Sequence, residues 1–356
     1  MDERSEIAAK VASEARVLSG PWTLEVYPTL RCNLSCAFCD TTDRHQPAQG
    51  ELSTARWLGL IDEAAALGAR SLMVLGGGEP LIAAATLPLM RRAKEHGLRG
   101  MLTTNGTLLG AAAQDELLEI GWDEVHLSID GATAGTHDQL RGRTGSFSKT
   151  VRAACRLRQR QIRLGLDRPR IAIHTVLTRL NLREIPAILR LAAALGAWRV
   201  DVDALIAYRP EQLALALSPA DHADLPAIID AGVAEAARLG IQTSLANLRA
   251  ARALRRGVEA PSSGAGTGLA AAPCLRPWHH LVLQADGRSA PCCVRTGEGP
   301  APHNGIASLW RESPALASLR AELLAGRAPG RCAECSENIL QHERGIRVLL
   351  PPSEAG

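Results

Sequence analysis

Between residues 22 and 239 apolar, β-branched runs alternate with helix-period stretches six times. The spacing predicts strands over 22–27, 70–75, 101–104, 124–129, 171–177 and 199–205, each followed by a helix. Ser53 reads as a helix cap, and Ser218-Pro219 as a cap and first-turn pair. Consecutive strands separated by helices run parallel, with the helices packed outside. Two closures of an α/β chain satisfy this: a doubly wound open sheet or a partial (β/α)6 barrel. The pattern alone favours neither. Residues 3–18 have helical composition. The small-residue run 257–273 reads as a linker. The expected organisation is therefore a leading helix over 1–20, the α/β unit over 21–256, the linker, and a second unit over 274–356.

The loops after the strands carry the chemistry. After the first strand come Cys32, Cys36 and Cys39, at C-x3-C-x2-C spacing. Three thiolates on a short loop hold three corners of a [4Fe–4S] cubane and leave one iron open to a small chelating molecule. A structural zinc site wants four ligands in paired knuckles. No fourth Cys or His is close, since His45 lies beyond a turn-rich stretch. The start, Met1-Asp2-Glu3-Arg4, lacks a signal-peptide pattern, so a cytoplasmic location is expected. In a reducing compartment, nine cysteines that cluster at the two ends with only Cys155 between point to metal rather than disulfides. A net charge of +3 is too balanced to suggest nucleic acid, and no apolar run is long enough to cross a bilayer.

The cysteine loop resembles the radical S-adenosylmethionine (radical SAM) superfamily, whose signature C-x3-C-x-φ-C places an aromatic residue where Phe38 stands. The resemblance implies a partial barrel with its site at the C-terminal strand ends. It implies that SAM chelates the open iron and is cleaved to a 5′-deoxyadenosyl radical, which removes a hydrogen atom from substrate. Gly76-Gly77-Gly78-Glu79-Pro80 matches the family's GGEP motif, and lacks the G-x-G-x-x-G spacing of a dinucleotide fingerprint. By resemblance, the backbone at Gly77 and Gly78 and the Glu79 carboxylate hold the SAM amino group. Thr104-Asn105-Gly106 matches the family's T-N-G turn. Ser128-Ile129-Asp130-Gly131, with Arg141 downstream, resembles a segment whose Ser and Arg contact the SAM carboxylate and ribose. Arg143 competes with Arg141 if the register slips. A strand end with a helix-entry salt bridge is the plainer alternative.

Farther on, Cys274, the Asp286-Gly287 turn, Cys292, Cys293, Cys332 and Cys335 follow C-x(9–15)-G-x4-C spacing and then a C-x-x-C loop. This resembles the SPASM and twitch domains of one radical SAM branch. A full SPASM domain has seven cysteines and this region has five. The resemblance therefore implies the shorter twitch form, with one auxiliary [4Fe–4S] cluster on Cys274, Cys292, Cys332 and Cys335. Cys293 is extra and can exchange with Cys292. A four-cysteine zinc ribbon is the rival for this half. A helix is expected around Leu309–Leu324.

Strand alternation places Glu25 with Tyr27, His126 with Ser128, and Asp201 with Asp203 on shared faces. Asp203 or Glu25 is the candidate proton acceptor when a substrate radical is oxidised; a salt bridge is the alternative for each. The expected activity is a two-electron oxidation of a small polar metabolite, of sugar or aminocyclitol type, in natural-product assembly. A peptide is the second substrate class, since few residues precede the barrel to bind one. A redox-neutral epimerisation with Cys293 or Cys155 as hydrogen donor is a further outcome. A flavodoxin- or ferredoxin-type protein is the expected electron donor. The non-enzymatic alternative is a zinc-dependent interaction module or an electron carrier.

Overall fold

The computed structural model describes residues 3–13, 19–39, 50–250, 272–293, 305–330, 332 and 335–347. Strands β1 (Thr23–Val26), β2 (Ser71–Val74), β3 (Arg99–Thr104), β4 (Glu124–Ser128), β5 (Arg170–Leu177) and β6 (Arg199–Ala204) pair in parallel and in chain order. A doubly wound sheet reverses its strand order at a switch point. This sheet has no reversal, so the open closure is excluded and the partial barrel stands. A two-residue strand, β7 (Gln242–Thr243), continues beyond β6.

Right-handed crossovers between sequential parallel strands put every connecting helix on one face. The helices are α2 (Thr54–Ala66), α3 (Thr86–Glu95), α4 (Ala111–Glu119), α6 (Ser146–Leu164), α7 (Ile185–Ala194) and α8 (Pro219–Leu239). The core lies between those helices and the sheet. Leu24, Val26, Leu72, Val74, Leu102, Val125, Leu127, Ile173, Val200 and Val202 from the strands meet Trp57, Leu60, Leu89, Leu117, Leu157 and Leu189 from the helices. The alternate strand positions, among them Glu25, Met73, Thr103, His126, His174 and Asp201, line the opposite, lumen-side face.

The C-terminal segment joins this sheet directly. Strand β8 (His280–Leu283) pairs in parallel with β1, with Thr23 opposite His280 and Val26 opposite Leu283. It then turns through Asp286-Gly287 into β9 (Ser289–Ala290), where Gly287 has φ 84°. The hairpin matches the sequence reading, whereas its seat on the barrel edge does not follow from the sequence. The leading helix, α1, spans Glu3–Ser13; the rest of its expected range, 14–18, lies outside the described residues, as does 257–271 of the linker. The single helix expected near 309–324 is two: α9 (Gly305–Glu312) and α10 (Pro314–Leu324). Pro314 has no N–H and cannot continue a helix, and Ser313 caps the new one by accepting from Leu316 N at 3.4 Å. The last helix, α11, spans Glu337–Arg347.

Candidate active site

The cysteine loop is held by three of the strand-end turns predicted to form the site. The triglycine turn lies directly against it. Gly78 N donates to Thr29 O at 3.0 Å and Glu79 N to Arg31 O at 2.9 Å. A Cβ on Gly78 would sit 2.1 Å from the Arg31 carbonyl oxygen, and one on Gly77 would sit 2.4 Å from Leu30 Cδ2. The absence of side chains therefore lets two backbone segments touch. Glu79 is 2% exposed. Its carboxylate accepts from Thr104 Oγ1 at 2.6 Å, Asn105 N at 2.8 Å and Leu81 N at 3.2 Å. Burial raises its pKa against the pull of those hydrogen bonds. Asn105 Nδ2 in turn donates to Asn33 Oδ1 at 2.9 Å, inside the cysteine loop. Glu79, Asn105 and the loop are thus one hydrogen-bonded unit.

On the other side stands a helix, α5 (Ala134–Arg141), which starts from Thr133 as its cap. Leu140 O accepts from Ala37 N at 2.9 Å. Arg141 is buried, ion-paired with Asp130, 3.7 Å from Cys36 Sγ through Nη1, and stacked over the Phe38 ring at 5.3 Å. Arg143 instead stays outside and donates to Asn33 O at 3.0 Å. Ser128 is buried at the end of β4 beside His174, its partner on β5. A further clamp was not legible in the sequence. Arg209 Nη2 and Gln212 Nε2 both donate to Cys39 O, at 3.3 and 3.1 Å. Gln212 lies in a 3-10 turn over Pro210–Leu215 and Arg209 is the residue before it, in a stretch that carries no motif.

Burial raises the Cys32 thiol and pushes Cys36 up to about 11, the nearby Arg141 charge opposing part of it. Without a metal these are thiols, so iron binding must displace protons. The donor set fits a [4Fe–4S] cluster: three soft sulfurs on one loop, with a buried cation beside them to balance negative charge. Among the described residues no three His, Cys, Asp or Glu side chains form a group that could hold a single metal ion. A cubane makes no such demand, because each thiolate binds its own iron.

The two candidate proton acceptors have different surroundings. Glu25 is 2% exposed, accepts from Tyr27 Oη at 2.7 Å and lies 2.8 Å from His280 Nε2. Burial opposes its ionisation, but the His280 contacts, Arg276 and Tyr27 outweigh that and lower its pKa. Asp203 keeps 30% of its side chain exposed. Its Oδ2 lies 2.9 Å from His174 Nε2, and its Oδ1 accepts from Ser336 Oγ at 2.6 Å and Asn338 Nδ2 at 2.8 Å. Burial is again outweighed, and the carboxyl is held below its ordinary range. For His174, burial lowers the pKa but the Asp203 contact, with the Asp130 and Asp201 charges, outweighs it, so the net direction is upward. His174 is the functional candidate that alternation on β5 could have exposed.

The C-terminal cysteines surround a buried polar network. Cys274, Cys293 and Cys335 each lie near enough to Cys292, and Cys335 to Cys332, for ionisation of one to hinder the next. Burial raises Cys274 and Cys293 strongly and takes Cys335 to about 12. Cys293 packs against Tyr27, Val282 and Ala290, toward the barrel strand. Two residues after Cys274, Arg276 is buried with its Nε unsatisfied.

The Radical SAM superfamily pattern matches residues 26–192. An AdoMet-dependent heme synthase of Methanosarcina barkeri is 36% identical over 194 residues, covering 54% of this chain and 53% of that protein. A PqqA peptide cyclase of Ruegeria pomeroyi is 36% identical over 174 residues, 49% of this chain and 44% of its own length. The chain spans about half the length of the curated relatives it matches. Streptococcus suis SuiB bound to S-adenosylmethionine shares the fold, with a TM-score of 0.64 over 88% of this chain and 70% of that one, at 18% identity. No helix among the described residues is long and apolar enough to cross a membrane. The cofactors that go with this domain are a [4Fe–4S] cluster and SAM. The CxxxCxxC loop after the first strand, the turns that clamp it and the match over residues 26–192 together identify those residues as a radical SAM domain.

Proposed function

We propose that the chain catalyses a two-electron oxidation of a polar substrate in the barrel lumen. When bound, the cluster and SAM supply a 5′-deoxyadenosyl radical that takes a hydrogen atom from a C–H of the substrate. The protein's own part is to hold Cys32, Cys36 and Cys39 on a rigid loop and to accept the proton the substrate then loses. The observation that carries this reading is the clamped loop beside a lumen lined by His126, Ser128, His174, Asp201 and Asp203. Both carboxylates are engaged by neighbours, but Glu25 is 2% exposed while Asp203 keeps 30% of its side chain open, so in this reading proton transfer falls to Asp203 with His174. In this reading Cys274, Cys292, Cys332 and Cys335 would hold an auxiliary [4Fe–4S] cluster, which would supply the acceptor for the one electron the substrate radical gives up with its proton. The buried Arg276 Nε supports it, because a buried donor without a hydrogen-bond partner suits a sulfur-rich acceptor.

The substrate of first choice is a small polar metabolite of sugar or aminocyclitol type. A peptide is the second reading, and the PqqA peptide cyclase among the relatives favours it. The test is anaerobic reconstitution with iron and sulfide, then dithionite and SAM. The expected outcome is brown protein with about eight iron per chain, two cubanes' worth, and release of 5′-deoxyadenosine. Colourless protein holding zinc, or a reduced cluster that leaves SAM intact, overturns the proposal.

A further inference from the structure

Two buried carboxylates, two histidines and one arginine lie between β1 and the C-terminal cysteines, and nothing in the hydrogen-abstraction step uses them. Arg276 Nη1 is 3.9 Å from Glu25 Oε2 on the barrel strand and 3.4 Å from His280 Nε2. Its Nε is 3.6 Å from Glu343 Oε1 on α11, too far for a hydrogen bond. Glu343 is 1% exposed; it accepts from Leu275 N at 3.2 Å and lies 3.3 Å from His279 Nε2. His279 is 3% exposed, and its Nδ1, like Arg276 Nε, is buried with no hydrogen-bond partner. An unsatisfied buried donor costs free energy, so Arg276 Nε marks a missing acceptor; His279 Nδ1, whose ring faces the Glu343 carboxylate through Nε2, is left as an unpaired acceptor. Cys293, packed on Tyr27, and Cys274, two residues before Arg276, bracket the spot in space and in sequence. Thiolate and sulfide sulfurs are such acceptors.

We propose that Arg276, opposed by Glu343, sets the reduction potential of the C-terminal iron–sulfur cluster. This rests on the reading that those cysteines hold a cluster. Reduction adds negative charge, and a fixed cation that donates to the sulfurs stabilises the reduced form. A fixed carboxylate does the reverse. In a buried setting water screens neither charge well. Arg276 is a positioning and tuning residue here: it neither receives the electron nor touches substrate.

The test uses the full chain carrying Cys32→Ala, Cys36→Ala and Cys39→Ala, so that any remaining cluster is the C-terminal one. Iron per chain is counted and the potential is read by EPR-monitored titration in Arg276→Gln, Arg276→Lys and Glu343→Gln. The expected result is about four iron per chain. Arg276→Gln moves the potential negative by at least tenfold in the oxidised-to-reduced ratio, ~59 mV for one electron. Arg276→Lys moves it less, and Glu343→Gln moves it positive. A merely structural role lowers iron content or melting temperature without opposite shifts. Should Arg276→Gln not fold, the positive shift in Glu343→Gln and the smaller one in Arg276→Lys carry the comparison. Full iron loading with unmoved potentials, or shifts of one sign, overturns this inference and leaves the auxiliary cluster standing. A C-terminal half that takes up no iron overturns the auxiliary cluster, and the inference with it.

Discussion

Gly77 and Gly78 look equivalent in the sequence, and the structure separates them. An added Cβ at Gly78 meets a backbone carbonyl at 2.1 Å, whereas at Gly77 it meets the end of the Leu30 side chain. A side chain can rotate away; the Arg31 carbonyl belongs to the cysteine loop and accepts from Glu79 N. Gly78→Ala should therefore cost at the upper end of about 1–3 kcal/mol, the usual range for overpacking, and Gly77→Ala at the lower end. Thermal melts give the cost, and iron per reconstituted chain shows whether the loop is displaced. Equal effects of the two substitutions would show that the loop is not docked as described. The cysteines, the glycines and Glu79 were legible because their chemistry is local and their spacing short. Gln212 was not, because it acts on Cys39, 173 residues earlier in the chain.

Helix α5 shows what an element contributes. Its C-terminal end presents Leu140 O, Arg141 and the left-handed cap Gly142 (φ 65°) to the cysteine loop. Its middle carries His137, which is 1% exposed and accepts from Asp130 N through Nδ1 at 3.3 Å. Burial and the Arg141 charge lower the His137 pKa from 6.5 to about 4. A histidine with a depressed pKa is held neutral by the fold and takes up its proton more readily when unfolded. Its contribution is therefore present above about pH 6.5 and is lost as the pH falls toward 4, by up to roughly 3 kcal/mol. Denaturant melts of the cluster-free chain should show this decline, and His137→Gln should flatten part of it. An unchanged slope in that variant would place the acid sensitivity elsewhere. The sequence showed a Ser-Ile-Asp-Gly…Arg segment here. Arg141 closes α5 on its buried face, whereas Arg143 lies beyond the left-handed Gly142 cap and stays exposed, which settles which of the two turns inward.

At the scale of the molecule, the feature of most consequence is β8 against β1. A parallel sheet edge exposes unpaired backbone groups, and β1 is also the strand that carries Glu25. The C-terminal segment covers that edge and supplies His280 and Arg276 to the buried carboxylate. A chain ended at residue 256 should leave Glu25 without Arg276 and His280, and β1 with β2 on one side and an open edge on the other. Its expected behaviour is aggregation, or a cooperative melt well below that of the full chain, read by light scattering and calorimetry. A soluble, equally stable fragment would show that residues 21–256 stand alone as an independent unit.

Sequence alone determined the parallel α/β order, the three-cysteine loop, the strand-end motifs and the second group of cysteines. Each of these rests on periodicity or on short spacing, which local backbone geometry enforces. Tertiary structure decided which closure the sheet takes, how β8 is seated, which arginine lies under Phe38, and the burial of Arg276 between Glu25 and Glu343. Those outcomes depend on pairing between segments hundreds of residues apart, whose free energy is spread over many contacts rather than written in any one stretch of chain.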